Sequence, residues 1–129
     1  MILVDTSAWI AFFRNSGPVA ALVDRALEAD EAALCGPVIT ELRRGLKSTA
    51  EGRRVLPLLL SCHQLPQPAD LWNEAGALGF ALARKGLTVK SLDLLIATCA
   101  LASGVPVLTL DRDFSAMARS GTGLLLVDY

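Results

Sequence analysis

With 129 residues the chain has room for one domain with a substantial apolar core, and it needs neither disulfide nor metal staples to fold. Hydrophobic residues make up 53% of it and mean hydropathy is +0.47, so another chain is expected to cover part of its apolar surface and an oligomer is the default expectation. A net charge of −1 excludes bulk attraction to nucleic acid, which leaves a local basic patch or a bound cation as the electrostatic route to such a partner.

Residues 1–129 read as a single domain of alternating strands and helices. Ile2 to Val4 is an unbroken apolar run, the pattern of a strand covered on both faces. Asp5-Thr6-Ser7 offers capping chemistry ahead of a helix carrying Trp9, Ile10, Phe12 and Phe13, and Asn15-Ser16-Gly17-Pro18 stops it. Val19, Leu22, Val23, Ala26 and Leu27 recur at helical spacing in a second helix, with Asp24, Arg25 and Glu28 opposite. Ala32 to Cys35 reads as a short strand, and Gly36-Pro37 opens a helix through Glu41 to Gly45 with proline in its favoured first turn. Glu51 to Cys62 is expected to be helical, and His63 to Leu65, bounded by Pro66 and Pro68, a brief edge strand. Leu71, Ala75, Leu78 and Leu82 mark a long helix ending at Arg84-Lys85-Gly86. Ser91 is expected to cap a helix that carries Asp93 and ends at Gly104. Val105 to Leu110 then reads as a strand, Asp111 to Arg119 as a helix and Leu124 to Val127 as a last strand. This alternation predicts a three-layer α/β/α fold around a central parallel sheet.

Cys35, Cys62 and Cys99 are odd in number and widely spaced, as expected of buried thiols in a reducing compartment. No apolar stretch is long enough to span a membrane, and Met1-Ile2-Leu3-Val4-Asp5 lacks the basic start of a secretory signal, so the expected location is cytoplasmic.

Asp5, Glu41, Asp93 and Asp111 each sit where an apolar segment hands over to a helix. Taken singly, each suits a helix N-terminus, where a carboxylate caps free N–H groups and complements the dipole. In a parallel α/β sheet, however, strand C-termini and helix N-termini share one edge, and that edge binds ligands. Capping explains each acid but not their convergence. Clustered carboxylates coexist as anions only around a cation, and hard oxygen ligands suit Mg²⁺ or Mn²⁺. Such an ion activates water and offsets phosphate charge, so phosphodiester hydrolysis follows as the chemistry, with no histidine required.

Leu3-Val4-Asp5-Thr6-Ser7, Ile39-Thr40-Glu41-Leu42-Arg43-Arg44-Gly45, Leu92-Asp93-Leu94-Leu95-Ile96-Ala97 and Leu108-Thr109-Leu110-Asp111-Arg112-Asp113-Phe114 together resemble the PIN-domain ribonucleases, specifically the VapC-like toxins of toxin–antitoxin pairs. The resemblance covers essentially the whole chain. It implies a PIN-like fold and a Mg²⁺- or Mn²⁺-dependent endoribonuclease, dimeric and inhibited by a cognate VapB-like antitoxin. By position it makes Asp5 and Asp93 the principal metal ligands, with Glu41 and Asp111 completing the catalytic pocket and Glu41 holding or deprotonating the attacking water. Thr6 or Ser7, with Thr109, would support the site. Asp111 is favoured over Asp113 as the last acid, leaving Asp113 solvated or peripheral.

Arg43, Arg44 and Lys47 follow Glu41 and would grip RNA phosphates, meet an acidic antitoxin segment, or form a solvated helix face. His63 lies outside every motif and is expected to be structural or exposed. Trp9 and Trp72 occupy core-like helical positions. A receiver-like phospho-signalling domain would need paired acids after the first strand and a lysine after a late one. A haloacid-dehalogenase-type phosphatase would need an acid where Ser7 stands. The remaining alternative, a catalytically silent PIN-like module that only binds RNA or protein, is disfavoured by the presence of all four acids.

Overall fold

The computed structural model describes residues 1–129. Strands β1 (Ile2–Val4), β2 (Ala32–Leu34), β3 (His63–Gln64) and β4 (Val107–Leu108) form one parallel sheet in the order β3-β2-β1-β4. Seven helices flank it: α1 (Thr6–Phe13), α2 (Gly17–Glu28), α3 (Gly36–Arg44), α4 (Thr49–Ser61), α5 (Leu71–Arg84), α6 (Ser91–Ser103) and α7 (Arg112–Arg119). The central strands are apolar on both faces, and Leu3, Val4, Ala33, Leu34, Val107 and Leu108 are all fully buried.

The chain steps outward from β1 to β2 to β3, then returns past β1 to form β4. The reversal falls between β1 and β4, which pair at Leu3↔Val107 and Val4↔Leu108. Beyond the strand C-termini at such a reversal lies the crevice in which parallel α/β sheets bind ligands. α6 reaches this crevice from inside the core. Leu94, Ile96, Ala97, Cys99 and Ala100 are buried around the helix rather than along one stripe. Gly79 lets α5 pack closely on it, since a Cβ there would come within 2.7 Å of Leu94 Cδ1. Gly104, at φ +65°, ends α6 in the left-handed conformation.

Several local expectations are corrected. The strand expected over Val105 to Leu110 is confined to Val107–Leu108, because Thr109 and Leu110 leave the ladder to bond with Asp5 and Ser7. Leu124 to Val127 contributes a single bridge, Leu126 to Val107, rather than a strand. Cys35 and Asp111 are N-cap residues outside their expected elements, and Lys90, not Ser91, holds the N-cap position of α6. α4 starts at Thr49, where Ser48 Oγ accepts Glu51 N–H and Glu51 Oε2 accepts Lys47 N–H. Trp9 is fully buried against Phe12 and Phe13, but Trp72 is 69% exposed and is no core residue. The three cysteines are buried and unpaired.

Candidate active site

Asp5 leaves the C-terminal end of β1 and is 3% exposed. It holds the N-cap position of α1, yet its side chain makes no capping bond. Instead Ser7 Oγ and Thr109 Oγ1 each donate to Asp5 Oδ2 at 2.8 Å. A hydroxyl has one proton, so both are committed to that oxygen, and the 3.3 Å approach of Ser7 Oγ to Thr109 Oγ1 is a packing contact. Their lone pairs accept the consecutive N–H groups of Leu110 and Asp111, both at 2.9 Å. The exit of β1 and the turn from β4 into α7 are thereby one hydrogen-bonded unit, in which Asp5 Oδ1 is left for another ligand.

Asp111 does cap its helix, its Oδ1 accepting Asp113 N–H at 2.9 Å. Asp93 lies buried in the first turn of α6. Carboxylate oxygens of Asp93, Asp111 and Asp113 all lie within 4.8 Å of one another. Asp113, expected to be solvated or peripheral, therefore joins the tight cluster, because the first turn of α7 carries both acids to Asp93. Glu41 sits half-buried in the second turn of α3, with Thr6 Oγ1 donating to its Oε1 at 2.8 Å. Thr6 and Ser7 thus do different work: one holds Glu41, the other Asp5.

Asp93 registers the convergence electrostatically. Burial pushes its carboxyl up to about 6, and the negative charges of Asp111, Asp5, Glu41 and Asp113 add to the rise. No lysine or arginine pairs with any of these acids; the molecule's one ion pair joins His63 to Asp30 at 3.1 Å, at the β3 side of the sheet. Four further carboxylates near the desolvated Asp93, with no protein cation paired to any of them, fit a Mg²⁺- or Mn²⁺-type ion.

Beside Glu41 runs a groove of about 270 Å³, lined by Thr6, Ile10, Phe13, Leu42, Lys47 and Val55 among others. Ile10 and Phe13 are 40% and 39% exposed there. Arg43, Arg44 and Lys47 are exposed, and none makes an ion pair. Sequence reasoning missed Tyr129, whose hydroxyl donates to the Thr109 carbonyl oxygen at 2.9 Å. No local motif marks it, since only the path of the chain beside β4 brings it there.

Residues 2–120 match the model of the PIN domain. The chain is 35% identical over 124 residues to a VapC ribonuclease of Mycobacterium bovis and to Ribonuclease VapC11 of Mycobacterium tuberculosis, covering 92% of this chain and 92% of each relative. Among solved structures it resembles VapBC2 from Rickettsia felis bound to a promoter DNA fragment, at 20% identity and a TM-score of 0.78, covering 100% of this chain and 99% of that one. VapBC-5 of Mycobacterium tuberculosis, a toxin–antitoxin family member, is similar at 27% identity and a TM-score of 0.66, covering 98% of this chain and 97% of that one.

Proposed function

Because the chain belongs to the PIN-domain family, we propose that it is a divalent-cation-dependent endoribonuclease and the toxin of a toxin–antitoxin pair. The observation that carries this reading is the meeting of Asp93, Asp111 and Asp113, whose carboxylate oxygens lie within 4.8 Å of one another with no lysine or arginine paired to them. Asp5, Asp93, Asp111 and Asp113 would hold Mg²⁺ or Mn²⁺. When bound, that ion supplies the charge that neutralises a phosphodiester and acidifies water. Glu41, its Oε1 held by Thr6, keeps Oε2 to orient the attacking water and take its proton. Ser7 and Thr109 hold Asp5 Oδ2 so that Oδ1 faces the ligand.

Two surfaces serve assembly. The groove beside Glu41 takes the apolar helix of a VapB-like antitoxin, whose basic side chain reaches the carboxylates in place of the ion. Exposed Trp72 and Phe80 on α5 form the face of a two-fold homodimer, since α5 packs on the helix bearing Asp93 and so places the two acidic sites along one groove. Buried unpaired thiols suit action in the cytoplasm. No helix is long and apolar enough to cross a membrane.

The decisive experiment uses purified protein freed of antitoxin. It should cut single-stranded or loop RNA with Mg²⁺ or Mn²⁺ and stop in EDTA, while His63→Ala cuts normally. Cleavage that survives EDTA sinks the cation mechanism. Absence of cleavage under every condition, with RNA still bound, leaves a binding module.

A further inference from the structure

We propose that Tyr129 is a positioning residue for the acidic site, acting through the turn that carries Thr109; the inference rests on the reading that this site holds a divalent cation. After α7 the chain returns beside β4 in parallel. Val107 N–H donates to Leu125 O at 2.9 Å, Val127 N–H donates to Val107 O at 3.0 Å, and Leu126 bridges Val107. This register carries the segment past β4 to the turn beyond it, where Tyr129 Oη donates to Thr109 O at 2.9 Å. Thr109 is the turn residue with most at stake. Its Oγ1 donates to Asp5 Oδ2 at 2.8 Å and accepts Asp111 N–H at 2.9 Å. One residue thus joins the tyrosine hydroxyl, through its carbonyl, to two carboxylate-bearing positions, through its side-chain hydroxyl.

The sheet itself does not hold the turn. β4 has only two residues, Leu110 is half exposed, and Thr109 and Leu110 lie outside the strand ladder. The Ser7 hydroxyl takes Leu110 N–H and the Thr109 hydroxyl takes Asp111 N–H, and the tyrosine hydroxyl is the side-chain group that holds the Thr109 carbonyl. It accomplishes this without a hydrogen bond to any acid, and the residue as a whole is 61% exposed. Removing the hydroxyl therefore loosens the Thr109 peptide and, through it, the relative placement of Asp5 and Asp111.

Tyr129→Phe deletes one oxygen and keeps the ring, and it is compared with Leu126→Ala, which weakens packing of the same segment but keeps the hydroxyl. Two readouts are used on metal-free protein: Mn²⁺ affinity by calorimetry, and amide hydrogen exchange at Leu110 and Asp111. Losing one hydrogen bond of ordinary strength should speed exchange at those two amides by about three- to tenfold and weaken Mn²⁺ binding by a similar factor. Leu3 and Val4 amides should stay protected, and Leu126→Ala should lower the melting temperature without changing Mn²⁺ affinity. Unchanged exchange and unchanged affinity in Tyr129→Phe overturn the inference. So does Leu126→Ala weakening Mn²⁺ as much as Tyr129→Phe, which would make the segment's packing responsible. A parent protein that binds no Mn²⁺ refutes the cation reading and this inference with it, a result distinct from a parent that binds while Tyr129→Phe binds equally well. If Tyr129→Phe behaves as the parent while Tyr129→Ala alone loses RNA affinity, the ring is a stacking surface and the positioning role is rejected.

Discussion

Thr109 Oγ1 donates to Asp5 Oδ2 at 2.8 Å across 104 positions of sequence, and the same hydroxyl accepts the N–H of Asp111. These bonds tie two carboxylates that follow different strands into a single hydrogen-bonded unit. Thr109→Val, which matches the shape and removes the hydroxyl, leaves Asp5 one donor short and Asp111 N–H unpaired. Mn²⁺ affinity is expected to fall by about 10- to 100-fold, and Thr109→Ser should restore most of it. Calorimetric titration of the metal-free variants checks both; full affinity in Thr109→Val would remove Thr109 from the site.

Asp93→Asn separates site from core. The carboxyl of Asp93 lies above its ordinary 3.8, at about 6, so the folded chain holds that proton more tightly than the unfolded chain between those values. Stability from this group is present below about 3.8 and is lost as pH rises through about 6. Asp93→Asn mimics the protonated form, so at pH 7 it should raise the stability of metal-free protein by on the order of 1–2 kcal/mol, discounted for the partly exposed neighbouring acids. Near pH 4 the gain should vanish, and RNA cleavage should be abolished throughout. Thermal melts at both pH values test it; an unfolded variant at pH 7 would contradict it.

Cation affinity should follow the same group with the opposite consequence. An ion must displace the Asp93 proton below about pH 6, so Mn²⁺ binding should weaken by close to tenfold per unit as pH falls below that point and level off above it. In Asp93→Asn the residual binding should lose this dependence. A flat profile in the parent protein would assign the raised carboxyl no part in binding.

Thr6→Val tests the division of labour between Glu41 and the three clustered aspartates. Thr6 touches Glu41 and none of the others, so the variant should lower kcat by about tenfold, as expected of a misplaced general base, while Mn²⁺ affinity changes less than twofold. Equal losses in both would place Glu41 among the ion's ligands.

Ile10→Asp probes the groove. Ile10 lines it and is 40% exposed, so a charge there should leave the fold and RNA cleavage intact but abolish inhibition by the proposed VapB-like antitoxin. Retained inhibition would move the antitoxin site elsewhere.

The amino-acid sequence by itself determined what is encoded within a few residues. Apolar runs and helical periodicity placed every helix to within a few positions, Gly104 and Pro37 marked a helix end and a helix start, and Asp5, Glu41, Asp93 and Asp111 were identifiable because each interrupts such a pattern. Only the tertiary structure decided what depends on which segments become neighbours. Capping makes Asp111 and Asp113 equivalent candidates locally, and it is the approach of α7 to α6 that brings both to Asp93. Trp72 has core-like spacing yet faces outward, because α5 turns its small and aliphatic face toward α6. The strands around β4 are shorter than their apolar runs because the backbone there exchanges ladder bonds for bonds to Ser7 and Tyr129. Periodicity and capping act through contacts a few residues apart, whereas the long-range bonds of the hydroxyl network join positions 20 to 104 residues apart and exist only once the chain's return past β1 has set β4 beside it.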